Sequence, residues 1–381
     1  MDFHPSPNVS NKFPQEIVDE VIDNLDNPRD LRACSLVSSR WLERSRCKLF
    51  ANVSLNTWNF NKWRKNIPPG PNGIATYVRS LSLRQARSII TLEPETLMGI
   101  MDHLTSFRRL KTLILQDVNF DDLFDEPSLT QCFGHFGASV DSLYLHGIWT
   151  DMSTLLFFVN LFPNLGHLTI NSPILSEGVT ELPERVLPLR GTLRLIGLGT
   201  KSSTLLHGIL IAPLHLEEVS ITHSRIHDPG TLNRFIEACA PTLERLELTH
   251  VISDDNGSAP ISLAPCYALK ELTMDTAMIK RPSPWVKALL STISSQATQF
   301  KRVTISVQRQ LSSSDIGDQV HMDAWESVED ILYGLALKLE PSSKFELVFM
   351  ANPTYDEEEI DLGEFLERFA EVGVVKFGNV W

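Results

Sequence analysis

The chain has 381 residues, is 43% apolar and 21% charged, and carries a formal net charge of −13. That length supports two or three compact units with a sizeable core, and the acidic excess argues against general binding to phosphate backbones. No apolar run reaches the roughly 18 residues of a membrane span, and residues 1–10 lack the apolar core of a signal peptide, so an intracellular protein of cytoplasm or nucleus is expected.

Residues 1–10 read as a disordered N-terminus and residues 11–55 as a helical module. Pro14 suits a first helical turn, where its missing N–H is not needed. Ile17, Val18, Val21, Ile22 and Leu25 then form one apolar stripe, opposite Glu16, Asp19, Glu20 and Asp23. Asn27-Pro28 ends that helix, and Asp30 is the expected cap of a second one. Leu31, Cys34, Leu36 and Val37 supply its apolar side. Trp41 and Leu42 follow amid Arg40, Arg44, Arg46 and Lys48. Helices within about 40 residues hold too little core to be very stable alone, so the stripe is expected to bury against a partner or against the rest of the chain.

Residues 56–77 read as a linker, and a different rhythm occupies 78–310. The pattern apolar-x-x-apolar-x-apolar recurs as VRSLSL at 78, LKTLIL at 110, VDSLYL at 140, LGHLTI at 165 and LRLIGL at 193. It continues as LEEVSI at 216, LERLEL at 243, LKELTM at 269 and FKRVTI at 300. The steps run from 23 to 32 residues, and helix-like stretches lie between at 94–104, 151–162, 228–240 and 282–293. A short strand with a returning helix at such a period cannot bury its own apolar side, and stacking of successive units supplies the missing core. The tail, 311–381, reads as a helix at 324–340, a strand at 344–350, a helix at 360–370 and a strand at 374–378, together a cap for the array.

Two resemblances follow from these residues. Phe13-Pro14-Gln15-Glu16-Ile17-Val18, then Ile22, Leu25 and Leu31, then Leu36-Val37-Ser38-Ser39-Arg40-Trp41, resembles an F-box of the kind abundant in mushroom-forming fungi. Phe13 stands where leucine is common and Ser38 where cysteine is frequent. The repeats resemble irregular leucine-rich repeats, without the usual Asn or Cys three residues past the last leucine, where Val118, Ile148, Pro173 and Val251 stand. The fold expected is therefore α/β, a three-helix F-box-like module followed by an irregular leucine-rich-repeat solenoid.

The F-box resemblance implies docking on the Skp-type adaptor and cullin scaffold of an SCF ubiquitin ligase. Its contact set would be Pro14, Ile17, Val18, Ile22, Leu25, Leu31, Val37 and Trp41; some of these must instead be core of the module, and spacing alone does not divide them. The repeat resemblance implies a target-binding surface that includes Arg84, Gln116, Tyr144, His146, Thr169, Asn171, Thr222, Glu247, Thr249, Thr273 and Asp275. The implied function is a non-catalytic substrate-recognition subunit that raises the effective concentration of a target protein near activated ubiquitin. The rival reading is an interaction scaffold outside ubiquitin transfer, with the helices packed on its own repeats.

Catalytic and metal motifs are missing from the sequence. There is no C-x-x-C, nucleophile elbow, Walker A or dinucleotide fingerprint. His223 and His227 follow a strand and adjoin Asp228-Pro229, so no helix holds them on one face. Cys34, Cys47, Cys132, Cys239 and Cys266 are odd in number and scattered, as for free thiols in a reducing compartment. The carboxylates Asp356, Glu357, Glu358, Glu359 and Asp361 read as a solvated loop. No catalytic residue, metal, cofactor, nucleic acid or membrane is expected.

Overall fold

The computed structural model describes residues 14–56, 59, 62–63, 65, 73–84, 107, 109–120, 130, 133–135, 137–176, 188–199, 202–226, 228–249, 252–253, 261–276, 284–293, 299–307, 320–338, 346–351 and 374–379. The expected disorder of 1–10, the helices of 94–104 and 360–370, the carboxylates of 356–371, His227, Val251 and Cys132 lie outside them. The architecture is mixed α/β with extensive parallel sheet, in two compact units: Met1–Ile148 with Leu161–Asn164, and Trp149–Asn160 with Leu165–Trp381.

The first unit opens with helices α1 (Gln15–Asp23), α2 (Pro28–Val37) and α3 (Ser39–Phe50). The cap of α2 is Asn27, not Asp30. Asn27 is extended, and its side-chain oxygen accepts the Arg29 N–H at 3.0 Å. Pro28 fixes the first helical φ, which leaves Asp30 inside the first turn, near the positive end of the helix.

Only Ala51 separates α3 from β1 (Asn52–Asn56), and a 3₁₀ turn (Ile74–Tyr77) precedes β2 (Ser80–Arg84), β3 (Thr112–Gln116) and β4 (Ser142–His146). The order β1-β2-β3-β4 is parallel throughout. Leu55, Leu83, Leu115 and Leu145 share one register row, and Val53, Leu81, Leu113 and Leu143 another. Side chains alternate along a strand, so the fourth and sixth residues of each repeat point the same way. Leu81, Leu113, Leu143 and Leu145 are wholly buried. The rhythm expected from 78 thus starts one strand earlier, with Phe50-x-x-Val53-x-Leu55, whose first apolar residue is the last residue of α3.

The second unit runs β5 (Trp149–Thr150), α4 (Met152–Asn160), β6 (His167–Asn171), β7 (Ile174–Leu175), β8 (Leu189–Ile196), α5 (Ser202–Ile209) and β9 (Leu214–Thr222). It continues β10 (Arg225–Ile226), α6 (Pro229–Cys239), β11 (Arg245–Thr249), β12 (Ile252–Ser253), β13 (Glu271–Thr276), α7 (Pro284–Ser291), β14 (Arg302–Val307), α8 (Val320–Lys338), β15 (Glu346–Ala351) and β16 (Val374–Asn379). Its main strands lie in the order β6-β8-β9-β11-β13-β14-β15-β16, each pair parallel; β5 pairs with β7 and β10 with β12. The inward rows are Leu168, Leu193, Val219, Leu246, Leu272 and Val303, and Ile170, Leu195, Ile221, Leu248, Met274 and Ile305. The helices bury apolar faces such as Leu232, Phe235 and Ile236 of α6. α5 was not foreseen from the sequence.

The expected register at 193 is corrected by three residues. Leu193 pairs with Leu168 and Val219, so it holds the fourth position of its repeat and Leu195 the sixth. Ile196 and Leu198 satisfy the same spacing by coincidence. The apolar first position is lost here: Gly191 stands opposite Leu216, beside a bulge in which Glu217 has no register partner. Gly191 adopts φ +71°, and a Cβ there would lie 2.3 Å from the carbonyl oxygen of Gly166. Only glycine fits both constraints.

The turns after the strands close without an asparagine at the position after the turn residue. Asp117, Gly147, Ser172, Gly197 and His223 hold equivalent places and all have positive φ. Four of them donate their N–H to the last strand carbonyl of the following repeat: Asp117 to His146 at 2.8 Å, Ser172 to Ile196 at 2.8 Å, Gly197 to Thr222 at 2.9 Å and His223 to Thr249 at 3.0 Å. With the backbone satisfied in this way, the next position can be apolar, as at buried Val118, Ile148 and Leu198. Ser224 is the polar exception. Its hydroxyl accepts the Leu198 N–H at 3.3 Å and donates to the Thr222 carbonyl at 2.9 Å.

Candidate functional site

The first candidate is the helical module. Val18, Ile22 and Leu31 are buried together, and Leu25, Trp41 and Leu49 pack against them. Three cations of α3 are spent inside the module. Arg40 donates to the Gln15 side-chain oxygen at 3.0 Å, and the Gln15 amide donates to the Arg40 carbonyl at 3.1 Å. Arg44 grips Asp23 with two nitrogens, Nε at 2.7 Å. Lys48 reaches the Asp23 carbonyl, where a cation suits the end of α1, and lies 3.3 Å from Asp26. The Arg44 hydrogen bond holds the Asp23 carboxyl below its ordinary range.

The outward surface also carries an apolar set. Ile17 and Val21, one turn apart on α1, are 45% and 44% exposed; Leu36 and Val37, at the end of α2, are 86% and 62% exposed. Pro14 is exposed beside them. The expected contact set therefore divides. Val18, Ile22 and Leu31 are core, Leu25 and Trp41 are half-buried against it, and Pro14, Ile17 and Val37 face outward. Val21 and Leu36 belong with the outward group and were not in that set. α3 packs against the 3₁₀ turn of its own unit, so only part of the module is free.

The second candidate is the outward strand face. In the first unit Arg84, Gln116 and His146 share a register row, with Tyr144 in the row beside them. Arg84 Nε lies 3.6 Å from Asp117, and Tyr144 is exposed. In the second unit Thr169, Arg194, Ser220, Glu247, Thr273 and Thr304 stand side by side. Asn171, Ile196, Thr222 and Thr249 form the parallel row beyond, and Asp275, whose side chain lies outside the described residues, follows on β13. All the expected surface positions thus fall on these rows.

A third row was missed. Glu218, Arg245, Glu271, Arg302 and Glu346 occupy the same place on β9, β11, β13, β14 and β15 and alternate in sign. Glu218 is held by Arg194 at 3.0 Å and by Arg245 at 2.9 Å. Arg302 lies 3.8 Å from Glu271 and 2.8 Å from Glu346. The alternation is visible in the sequence only when the third residue of each repeat is compared in turn.

Among the described residues no group of three or more His, Cys, Asp or Glu could hold a metal ion, and no helix is long and apolar enough to cross a membrane. Burial pushes the Cys266 thiol up to about 12 and the Cys239 thiol well above its ordinary value.

No family model matches the chain, and no curated protein matches it. Among solved structures it is similar to a Bacteroides fragilis protein from a structural genomics consortium. The TM-score is 0.37 at 10% identity, over 80% of this chain and 66% of that one. A likeness of that degree carries no argument about fold or function.

Proposed function

We propose that the chain is a substrate-recognition adaptor of a cullin-type ubiquitin ligase, with an F-box-like module docking the Skp-type adaptor and leucine-rich-repeat strands holding a target protein. The observation that carries this reading is the double use of the helices. A unit with its own core still leaves Pro14, Ile17, Val21, Leu36 and Val37 outward, where a desolvating partner gains most. The parallel strands with aligned leucines support the repeat half of the reading. The polypeptide itself would perform no bond chemistry.

Co-purification with a Skp-type adaptor tests the proposal. Intact protein should bind, and an Ile17→Glu, Val37→Glu double variant should fold but lose binding by at least about tenfold, since each buried carboxylate costs more than 1.4 kcal/mol. Equal binding by the variant would overturn the docking assignment. The packing of α3 on the 3₁₀ turn favours a second reading, an interaction scaffold outside ubiquitin transfer. Under it, the intact protein fails to bind the adaptor at all.

A further inference from the structure

The outward face of the second unit keeps careful charge balance, with one exception. Among the described side chains of its three rows the charged residues are Arg194, Arg245 and Arg302 against Glu218, Glu247, Glu271 and Glu346. Every one of them but Glu247 has an opposite charge within 3.8 Å. Glu247 has no ion pair or hydrogen bond to its side chain among the described residues, and it accounts for the single excess negative charge. Arg245, two residues back on the same strand, is held by Glu218 at 2.9 Å.

The surroundings of Glu247 suit a guest cation. Its register neighbours are Ser220, which is 3% exposed, and Thr273. Strands lie about 4.8 Å apart, so both short residues flank it closely. Thr249 stands next along the strand on the same face, with Thr222 beside it. Glu247 is thus a half-buried carboxylate rising from a floor of hydroxyls. Ser220 stands in register between it and Arg194, which Glu218 neutralises at 3.0 Å. A half-buried carboxylate gains from an opposite charge brought against it, and the nearby Arg194 and Arg245 are already paired with Glu218.

We propose that Glu247 takes a lysine or arginine side chain from a protein segment bound across β9, β11 and β13. This inference rests on reading the strand face as the target surface, and it specifies the chemistry of the target there. The ladder of paired charges on the third row, neutral once Arg194 is counted with it, then fixes the surface without adding net charge, and Glu247 supplies the one unmet interaction.

The test is selection of a random twelve-residue peptide display library on the intact protein, repeated on Glu247→Gln, which keeps shape and hydrogen bonding but removes charge. Retained peptides should share a basic residue at one position. A synthesised representative should bind Glu247→Gln about tenfold more weakly or worse, as for loss of a charge-assisted hydrogen bond. Peptides without a common basic residue, equal binding to both proteins, or an empty selection would each overturn the assignment. A Thr249→Arg variant separates the two levels of argument. Peptides lost on Thr249→Arg but indifferent to Glu247→Gln leave the face a binding surface and remove Glu247 from it. Peptides indifferent to both variants remove the face as well.

Discussion

Replacing Gly191 by alanine should destabilise the second unit more than any other single methyl addition in β8. The residue sits at φ +71°, where a side chain is strained, and holding a non-glycine residue there costs about 1–3 kcal/mol. The added Cβ would lie 2.3 Å from the Gly166 oxygen and 3.2 Å from its carbonyl carbon. That oxygen cannot move aside freely, because it accepts the Thr192 N–H at 2.9 Å. Relieving the clash therefore means shifting one strand against its neighbour, for which overpacking costs of roughly 1–3 kcal/mol apply. The two effects together amount to about 2–6 kcal/mol, a large part of the 5–15 kcal/mol that usually separates folded from unfolded domains. Urea unfolding followed by circular dichroism measures the effect as a lower midpoint. Gly199→Ala is the control, since its Cβ meets nothing within 4 Å; its midpoint should move by no more than about 0.5 kcal/mol in equivalent stability. A Gly191→Ala midpoint equal to wild type, or a Gly199→Ala midpoint lowered as far, would refute the argument.

Ile22→Ala should cost the helical module about 2–5 kcal/mol, while Ile17→Ala, truncating an exposed side chain, should stay within about 0.5 kcal/mol; thermal melting of the two variants compares them. Ser224→Ala should cost about 1–3 kcal/mol, read by urea midpoint, because it leaves the Leu198 N–H and the Thr222 carbonyl each without that hydroxyl. Asp23, bound by Arg44, and Asp228, bound by the Thr231 hydroxyl and the Thr231 and Gly230 N–H groups, are both held below the ordinary 3.8. Their stabilisation is complete above the unfolded value and is lost as pH falls through the lower folded value, so stability should decline below about pH 4, less steeply in Asp23→Asn. The buried thiols of Cys239 and Cys266 should resist a disulfide-forming probe at pH 8 and react only once denaturant unfolds the second unit.

The strands were legible because the fourth and sixth residues of a six-residue pattern must share a face, which is why LKTLIL and LERLEL gave their elements directly. The register at 193 was not, since Leu193, Ile196 and Leu198 match the spacing as well as the true set, and the deciding feature is a glycine opposite Leu216. The division of the α1 stripe was beyond periodicity for a different reason. Ile17 and Val18 lie about 100° apart on the helix, and which of them turns inward depends on where α3 sits. The charge ladder needs pairing register before it exists at all, because its members are distant in sequence. The partners of Arg40, Arg44 and Lys48 were equally out of reach: the three lie on one face of α3 and meet Gln15, Asp23 and Asp26.

Ala51 is the whole length of chain between α3 and β1, and its carbonyl accepts the N–H groups of both Arg79 and Ser80 at 2.8 Å. The joint has no slack to pivot on. Whatever grips the outer face of α1 and α2 is held at a set bearing to β1 and β2, like a handle welded to a blade. Lengthening the joint with a few glycines would leave the grip and the blade each intact and let their relative heading drift.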